Sequence, residues 1–211
     1  MRHILALQIY LADSYHQKAE KVQDAVRKFM MGKKGILTDG PGIEDYSQHV
    51  QVFAILTGTI SREEGRKALL ETVEKKKEYP QCSVAMAFYL FRALEETGLY
   101  EYTKEYWGIW RRMLVKHSTT CIEDEVQERS DCHAWGALIL YELPTVILGV
   151  RPGEPGYQSI VIRPQPGYLK EAEGDIITPA GMVHVHWIKN GDDKLLLEYN
   201  APENVTVIAE E

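Results

Sequence analysis

The stretch Gly149 to Tyr157, GVRPGEPGY, separates two kinds of sequence. Three glycines and two prolines in nine residues cannot continue a helix, since proline lacks the amide donor and glycine is costly to order. Before this stretch the apolar residues recur at helical spacing. After it come short alternating runs, at 159–163, 174–178, 182–188, 194–199 and 205–208, separated by PQPG, TPAG and KNGDD. Alternation bounded by turn residues predicts strands joined as hairpins. The reading is therefore mainly α with a β appendage: a helical portion over residues 1–150 and a small antiparallel sheet or sandwich domain over 151–211. So few strands are not expected to be stable without packing on the helices.

Working back from the boundary, about seven helices are expected. Apolar positions Leu5, Leu7, Ile9 and Leu11 reach a polar break at Asp13-Ser14, and a second helix carries Ala19, Val22, Ala25, Val26 and Phe29, with Gly32 and Gly35 as its stop. Ser47 is placed to cap a helix that ends before Gly58, and Ser61 to Glu64 is a capping-box pattern. Residues 83–97 are apolar almost all round, which predicts a helix buried on several sides and closed by Gly98. An amphipathic helix follows over 101–117. A further one runs over 133–148, bent or ended near Pro144. Helices joined by short loops predict antiparallel hairpins packed side by side.

The 211 residues are enough to bury a core without disulfides, and 45% hydrophobic with 26% charged residues is the ordinary globular range. A net charge of −7 without a basic tract beyond Lys75-Lys76-Lys77 excludes a nucleic-acid footprint. The N-terminal apolar run is broken by Gln8 and Asp13, so no signal peptide or membrane span is expected. Three cysteines, Cys82, Cys121 and Cys132, stand in no metal-ligand spacing and suit free thiols in a reducing, cytoplasmic compartment. No cofactor or metal is called for.

The chemistry-bearing residues gather just before the last helix, in TTCIEDEVQERSDCHAWG, residues 119–136. Thr120 and Glu123 have capping-box spacing, yet no apolar helical pattern follows Glu123, so cap and functional carboxylate are both open readings. Asp131 is placed as an N-cap, with His133 in the first turn, where the partial positive charge of a helix start favours carboxylates or substrate oxygens. His133 reads either as a packed residue or as a ligand-binding imidazole, and Trp135 either as core or as the aromatic wall of a sugar site. His184-Val-His186 sets two imidazoles on one face of a strand with no third metal ligand in the sequence. Tyr46 to His49 opens a helix as a cap or as a cavity wall. The common phosphate, dinucleotide, serine-hydrolase and zinc-protease motifs do not occur.

The run TTCIEDEVQERSDCHAWGALILYELPTVILGVRPGEPGYQSIVIRP resembles the end of the catalytic domain of bacterial α-L-rhamnosidases, glycoside hydrolase family 78. The matching elements are Thr119-Thr120 with Glu123, Ser130 with His133, Trp135-Gly136, and Leu148-Gly149-Val150-Arg151-Pro152. GPGIEDYSQHVQVFAILTG, QCSVAMAFYLFRALEETGLY and TPAGMVHVHW resemble further family segments. The resemblance implies a partial (α/α)6 barrel followed by a β domain, and hydrolysis of terminal α-L-rhamnosides with inversion. It makes Glu123 the general base, His133 a sugar contact and Trp135 at most a wall. The family's general acid lies in a DCPQRDE-type motif that is not found here, and seven helices are fewer than the twelve of such a barrel. A glycosidase part inactive or weakly active alone is thus expected, with a carbohydrate substrate. A helical module that binds sugar or self-associates through exposed faces is the alternative, and a related hydrolase acting on another sugar is a third reading.

Overall fold

The computed structural model describes residues 2–124, 130–192 and 194–210. The chain divides into two compact units, Met1–Cys82 with Tyr89–Gly98, and Ser83–Phe88 with Leu99–Glu211.

The first unit is helical. Helix α1, Arg2–Met30, is continuous, so the break expected at Asp13-Ser14 does not occur. Almost all of its described side chains are exposed, and polar residues at such positions cost a helix little. A bridge between Met31 and Leu37 follows, then α2, Gln48–Leu56, and α3, Arg62–Glu74. Ser61 and Glu64 form the expected capping box, each side chain bonded to the other residue's backbone amide. Ser47 does stand at the N-cap of α2, but its side chain makes no capping bond, and its hydroxyl donates to Asp39 Oδ1 at 2.7 Å instead. Two fully buried glutamines on α2 serve loop backbone. Gln51 takes the Leu37 amide at 3.2 Å and donates to the Leu37 carbonyl at 2.7 Å, while Gln48 accepts from the Cys82 amide at 3.0 Å. These bonds leave no buried amide of those residues without a partner, which would cost about 1–3 kcal/mol each. Val52, Ile55, Leu69, Leu90, Phe91 and Leu94 fill the core between the helices.

The chain passes from Ser83–Phe88, which belongs to the second unit, into Tyr89–Gly98, which belongs to the first, and the elements after Gly98 all lie in the second. The helix expected over 83–97 begins as a 3-10 turn, Val84–Met86, before α4, Ala87–Glu96, which ends at Gly98 with φ +69°. The helix expected over 101–117 is a 3-10 stretch, Tyr100–Glu105, followed by α5, Gly108–Val115. The helix expected over 133–148 is divided into a 3-10 turn, Ala134–Leu138, one α turn, α6, Ile139–Tyr141, and a π turn, Glu142–Ile147. Pro144 is the physical reason for the last change: it offers no amide and crowds the preceding turn, and widening the helix relieves both. The Leu148 amide accordingly donates to Leu143, five residues back, at 2.9 Å.

The strands are β1, Val150–Pro152; β2, Ser159–Ile162; β3, Glu171–Thr178; β4, Gly181–Lys189; β5, Leu195–Asn200; and β6, Thr206–Ala209. They form two three-stranded sheets, β1-β2-β6 and β3-β4-β5. The second is antiparallel throughout, as expected, whereas β6 runs parallel to β2 and β1 is a short strand the alternation did not reveal. At the boundary Gly149 has φ +78°, and a Cβ there would stand 2.2 Å from the Arg163 carbonyl carbon. Only glycine lets β2 come that close. The carbonyls at the end of the π turn are then taken by the β segment: Thr145 accepts from Arg151 Nε at 2.9 Å, Val146 from the Gln165 amide at 2.9 Å and Ile147 from Trp187 Nε1 at 2.8 Å. Trp187, Val183 and Val185 of β4 are fully buried. Among the described residues, no helix is long and apolar enough to cross a membrane.

Trp187→Phe keeps a ring but removes the donor to Ile147. It should lower stability by about 1–3 kcal/mol, the cost of an unpartnered buried carbonyl. Thermal unfolding checks this against Trp135→Phe at an exposed indole, expected within about 0.5 kcal/mol of the parent.

Candidate active site

The site is built where α5 ends. The Ser118 amide donates to Met113 O at 2.9 Å and the His117 amide to Leu114 O at 3.0 Å, the two bonds of a Schellman cap. The residue such a cap puts in the left-handed region is usually glycine, and here it is His117, with φ +55°. From this cap the chain runs outward through Thr119 and returns at Ser130.

The outgoing and returning segments are tied by their backbones. The Glu123 amide donates to Ser130 O at 2.9 Å, the His133 amide to Cys121 O at 2.7 Å, and the Thr120 hydroxyl to the Asp131 carbonyl. Beyond them, the buried Trp110 indole donates to Gly136 O at 2.8 Å. A Cβ on Gly136 would stand 2.8 Å from Cys121 Cβ and from Ile122 O, so glycine permits this close return.

Two sequence readings are corrected by these bonds. Thr120 and Glu123 form no capping box, because residues 121–124 are not helical and the Thr120 hydroxyl and Glu123 amide are engaged with the returning segment. Nor is Asp131 the N-cap: its carbonyl is held by Thr120, the helix starts at Ala134, and His133 occupies the cap position with extended backbone, φ −114° and ψ 107°.

The consequence is a juxtaposition of Glu123 and His133. Glu123 Oε2 lies 3.9 Å from His133 Nδ1, with the two side chains 19% and 25% exposed. That separation is too long for a direct hydrogen bond and within reach of a charge–charge contact. Trp135 stands edge-on to His133, ring centroids 5.6 Å apart at 81°, and is 69% exposed. It is therefore a surface aromatic and not core. Asp124, expected to be a solvated charge, is half-buried, and Glu125 and Glu128 lie outside the described residues. A neighbouring cleft of about 420 Å³ is lined by Arg112, Lys116, His117, Thr119, Thr120 and Asp131, among others. The sequence pattern had not singled out α5 as a wall of any cleft; only the cap geometry brings its C-terminus there.

The other candidates lie elsewhere. His49 borders an apolar groove of the first unit, and Tyr46 is buried with its hydroxyl on Glu44. His184 pairs with Asp175 at 2.9 Å and Glu173 at 3.5 Å, and His186 with Glu171 at 3.0 Å and Glu198 at 3.9 Å, a ladder on an outer face of the second sheet. Among the described residues no group of three side chains could hold a metal ion. The three cysteines are free thiols, and burial pushes that of Cys82 up to about 12.

The chain thus sets helices before two small sheets, with a carboxylate, an imidazole and an exposed indole close together ahead of the last helical turns. Residues 149–209 match the bacterial alpha-L-rhamnosidase C-terminal domain. The chain is similar to the family 78 rhamnosidase of Bacillus sp. GL1, at 28% identity and a TM-score of 0.77 over 94% of this chain and 23% of that one. It is also similar in fold to the rhamnosidase of Aspergillus terreus, at 20% identity and 0.72 over 93% and 24%. A third similar structure is the Streptomyces avermitilis α-L-rhamnosidase complexed with L-rhamnose, at 19% identity and 0.69 over 94% and 20%. Among curated proteins none matches. The chain is thus similar to the family 78 α-L-rhamnosidases, matches their C-terminal domain over residues 149–209, and spans about a quarter of the length of the solved structures it resembles.

Two outcomes follow from these local geometries. His117→Gly should stabilise the chain by about 0.5–1 kcal/mol by relieving the left-handed backbone, and His117→Val should destabilise it, as read by urea unfolding. The His186 imidazole is held above its ordinary 6.5, first by its bond to Glu171. A raised folded-state value means that this group stabilises the fold below the unfolded value and loses its effect as pH rises through the folded one. The difference in melting temperature between the parent and His186→Gln should therefore shrink between about pH 6 and about pH 8.

Proposed function

We propose that this chain is the part of an inverting α-L-rhamnosidase that supplies the water-activating base, and that it turns over little or no substrate alone. The observation that carries the reading is the pairing of Glu123 with His133 beside the exposed Trp135, on a loop fixed by backbone bonds. Glu123 is the general base and takes the proton of a water attacking the anomeric carbon. His133 binds a hydroxyl of the sugar, and Trp135 forms an outer wall. Inversion requires a second carboxyl group on the opposite face of the sugar to protonate the leaving oxygen. General acid catalysis of that kind contributes about 10²- to 10⁴-fold, so its absence alone predicts very slow turnover.

The same reading takes residues 1–150 as part of an (α/α)6 barrel and 151–211 as the β domain that follows it. The substrate class is a carbohydrate ending in α-L-rhamnose. The likeness to an L-rhamnose-complexed rhamnosidase supports the sugar, and the 28% identity to the Bacillus sp. GL1 family 78 rhamnosidase supports the carry-over of the loop.

Purified protein should release p-nitrophenol from p-nitrophenyl α-L-rhamnoside no faster than a small fraction of an ordinary glycosidase rate. It should bind L-rhamnose weakly in titration calorimetry, with binding reduced in Glu123→Gln and His133→Ala. Release at ordinary enzyme rates would overturn the partial-site reading. Binding unaffected by either substitution would overturn the roles given to these residues.

A further inference from the structure

We infer that α1 is a self-association surface whose occupant is α1 of a second copy of this chain, packed antiparallel against it. The inference deepens the helical-module alternative of the sequence reading and is independent of any role for Glu123.

Four observations lead there. First, α1 is exposed along most of its length, and it carries an apolar stripe, Leu11, Tyr15, Ala19, Val22, Val26 and Met30, at helical spacing. With α2 it borders an apolar groove of about 780 Å³, in which Tyr15, Val22 and Val26 face Val50, Phe53 and Ala54. A groove of that make-up between two helices takes the apolar face of a third.

Second, the area is that of a stable contact. Leu11, Tyr15, Val22, Phe29 and Met31, with Phe53 on α2, are between 38% and 65% exposed. At roughly 150–250 Å² for a whole large apolar side chain, these residues alone offer about 600 Å², the upper end of what monomers ordinarily leave open. Matched by a second copy, that is about 1,200 Å² in all, the lower end of a standard interface.

Third, the stripe is self-complementary. Its spacings are 4, 4, 3, 4 and 4 residues, which read the same in both directions. Turned end for end, Leu11 comes level with Met30 of the second copy, Tyr15 with Val26, and Ala19 with Val22. This is the condition for an isologous two-fold contact, in which one patch serves both copies.

Fourth, electrostatics permits it. The chain carries −7 overall, but residues 11–30 hold three carboxylates and four Lys or Arg side chains. In the antiparallel register no charged residue of this stretch comes level with one of like charge. Two copies that repel across most of their surfaces therefore do not repel across this one.

The test uses the full chain. Sedimentation velocity should give a concentration-dependent dimer of twice the 24.1 kDa monomer mass, and Val22→Lys should raise its dissociation constant by at least about tenfold with unchanged circular dichroism. Cross-linking reads the register. With Cys121 and Cys132 replaced by serine, Ala19→Cys, near the two-fold, should form an intermolecular disulfide under mild oxidation, while Leu11→Cys, near one end, should not. A sample that is monomeric at all concentrations overturns the inference, including one that acquires a partner only when a preceding segment of a rhamnosidase is added. So does a dimer indifferent to Val22→Lys, or equal cross-linking at both positions.

Discussion

The last turn before the sheets depends on three donated hydrogen bonds. A helix end leaves carbonyls without intrahelical partners, and a buried end must find donors elsewhere. At Thr145, Val146 and Ile147 those donors are Arg151, the Gln165 amide and the Trp187 indole, all from the segment that follows. The π turn around Pro144 determines which carbonyls are offered, and Gly149 lets the next strand pass within reach. The β segment thus caps the final helical turn, and that turn in turn covers the Trp187 side of the second sheet. Neither element would be expected to persist with its partner removed, which is the physical meaning of a sheet too small to stand alone.

The candidate site relies on the same kind of constraint at its other edge. The Schellman cap of α5, the paired backbones of 121–123 and 130–133, and the Trp110 bond to Gly136 set the direction of the loop before any side chain of the site is considered. Glu123 and His133 are brought together by amides and carbonyls, not by their own attraction. His117 in a left-handed conformation is the local cost of that cap.

How far the sequence could be read depended on the range of the interaction. The Ser61 to Glu64 box was legible because both partners lie within one turn. The β3-β4-β5 meander was legible because alternation and turn residues are local signals. Helix α1 was read as two because Asp13 and Ser14 look like punctuation, whereas on a helix exposed on nearly all sides they are merely solvated. The division of 133–148 into three helical types reflects Pro144 together with donors up to 40 residues away, and β6 beside β2 is a pairing that no periodicity encodes. At the site, spacing alone left Glu123 open between a cap and a functional carboxylate and put His133 in a first helical turn; their approach rests on the Cys121 to His133 bond, a contact across the loop. Only the family resemblance named the pair beforehand.

Under the proposed reading, one carboxylate beside one imidazole explains recognition more readily than turnover. Acid and base of an inverting pair stand on opposite faces of a sugar, about 6.5–9.5 Å apart, so the two groups need not share an element or even a unit of the fold. What they need is a common frame, and a frame is maintained by core packing and backbone bonds of the kind that hold this loop. The backbone bonds named above that tie its described residues lie within Trp110–Gly136. The approach of Glu123 to His133 is therefore set by local backbone pairing, whatever chemistry the pair takes part in.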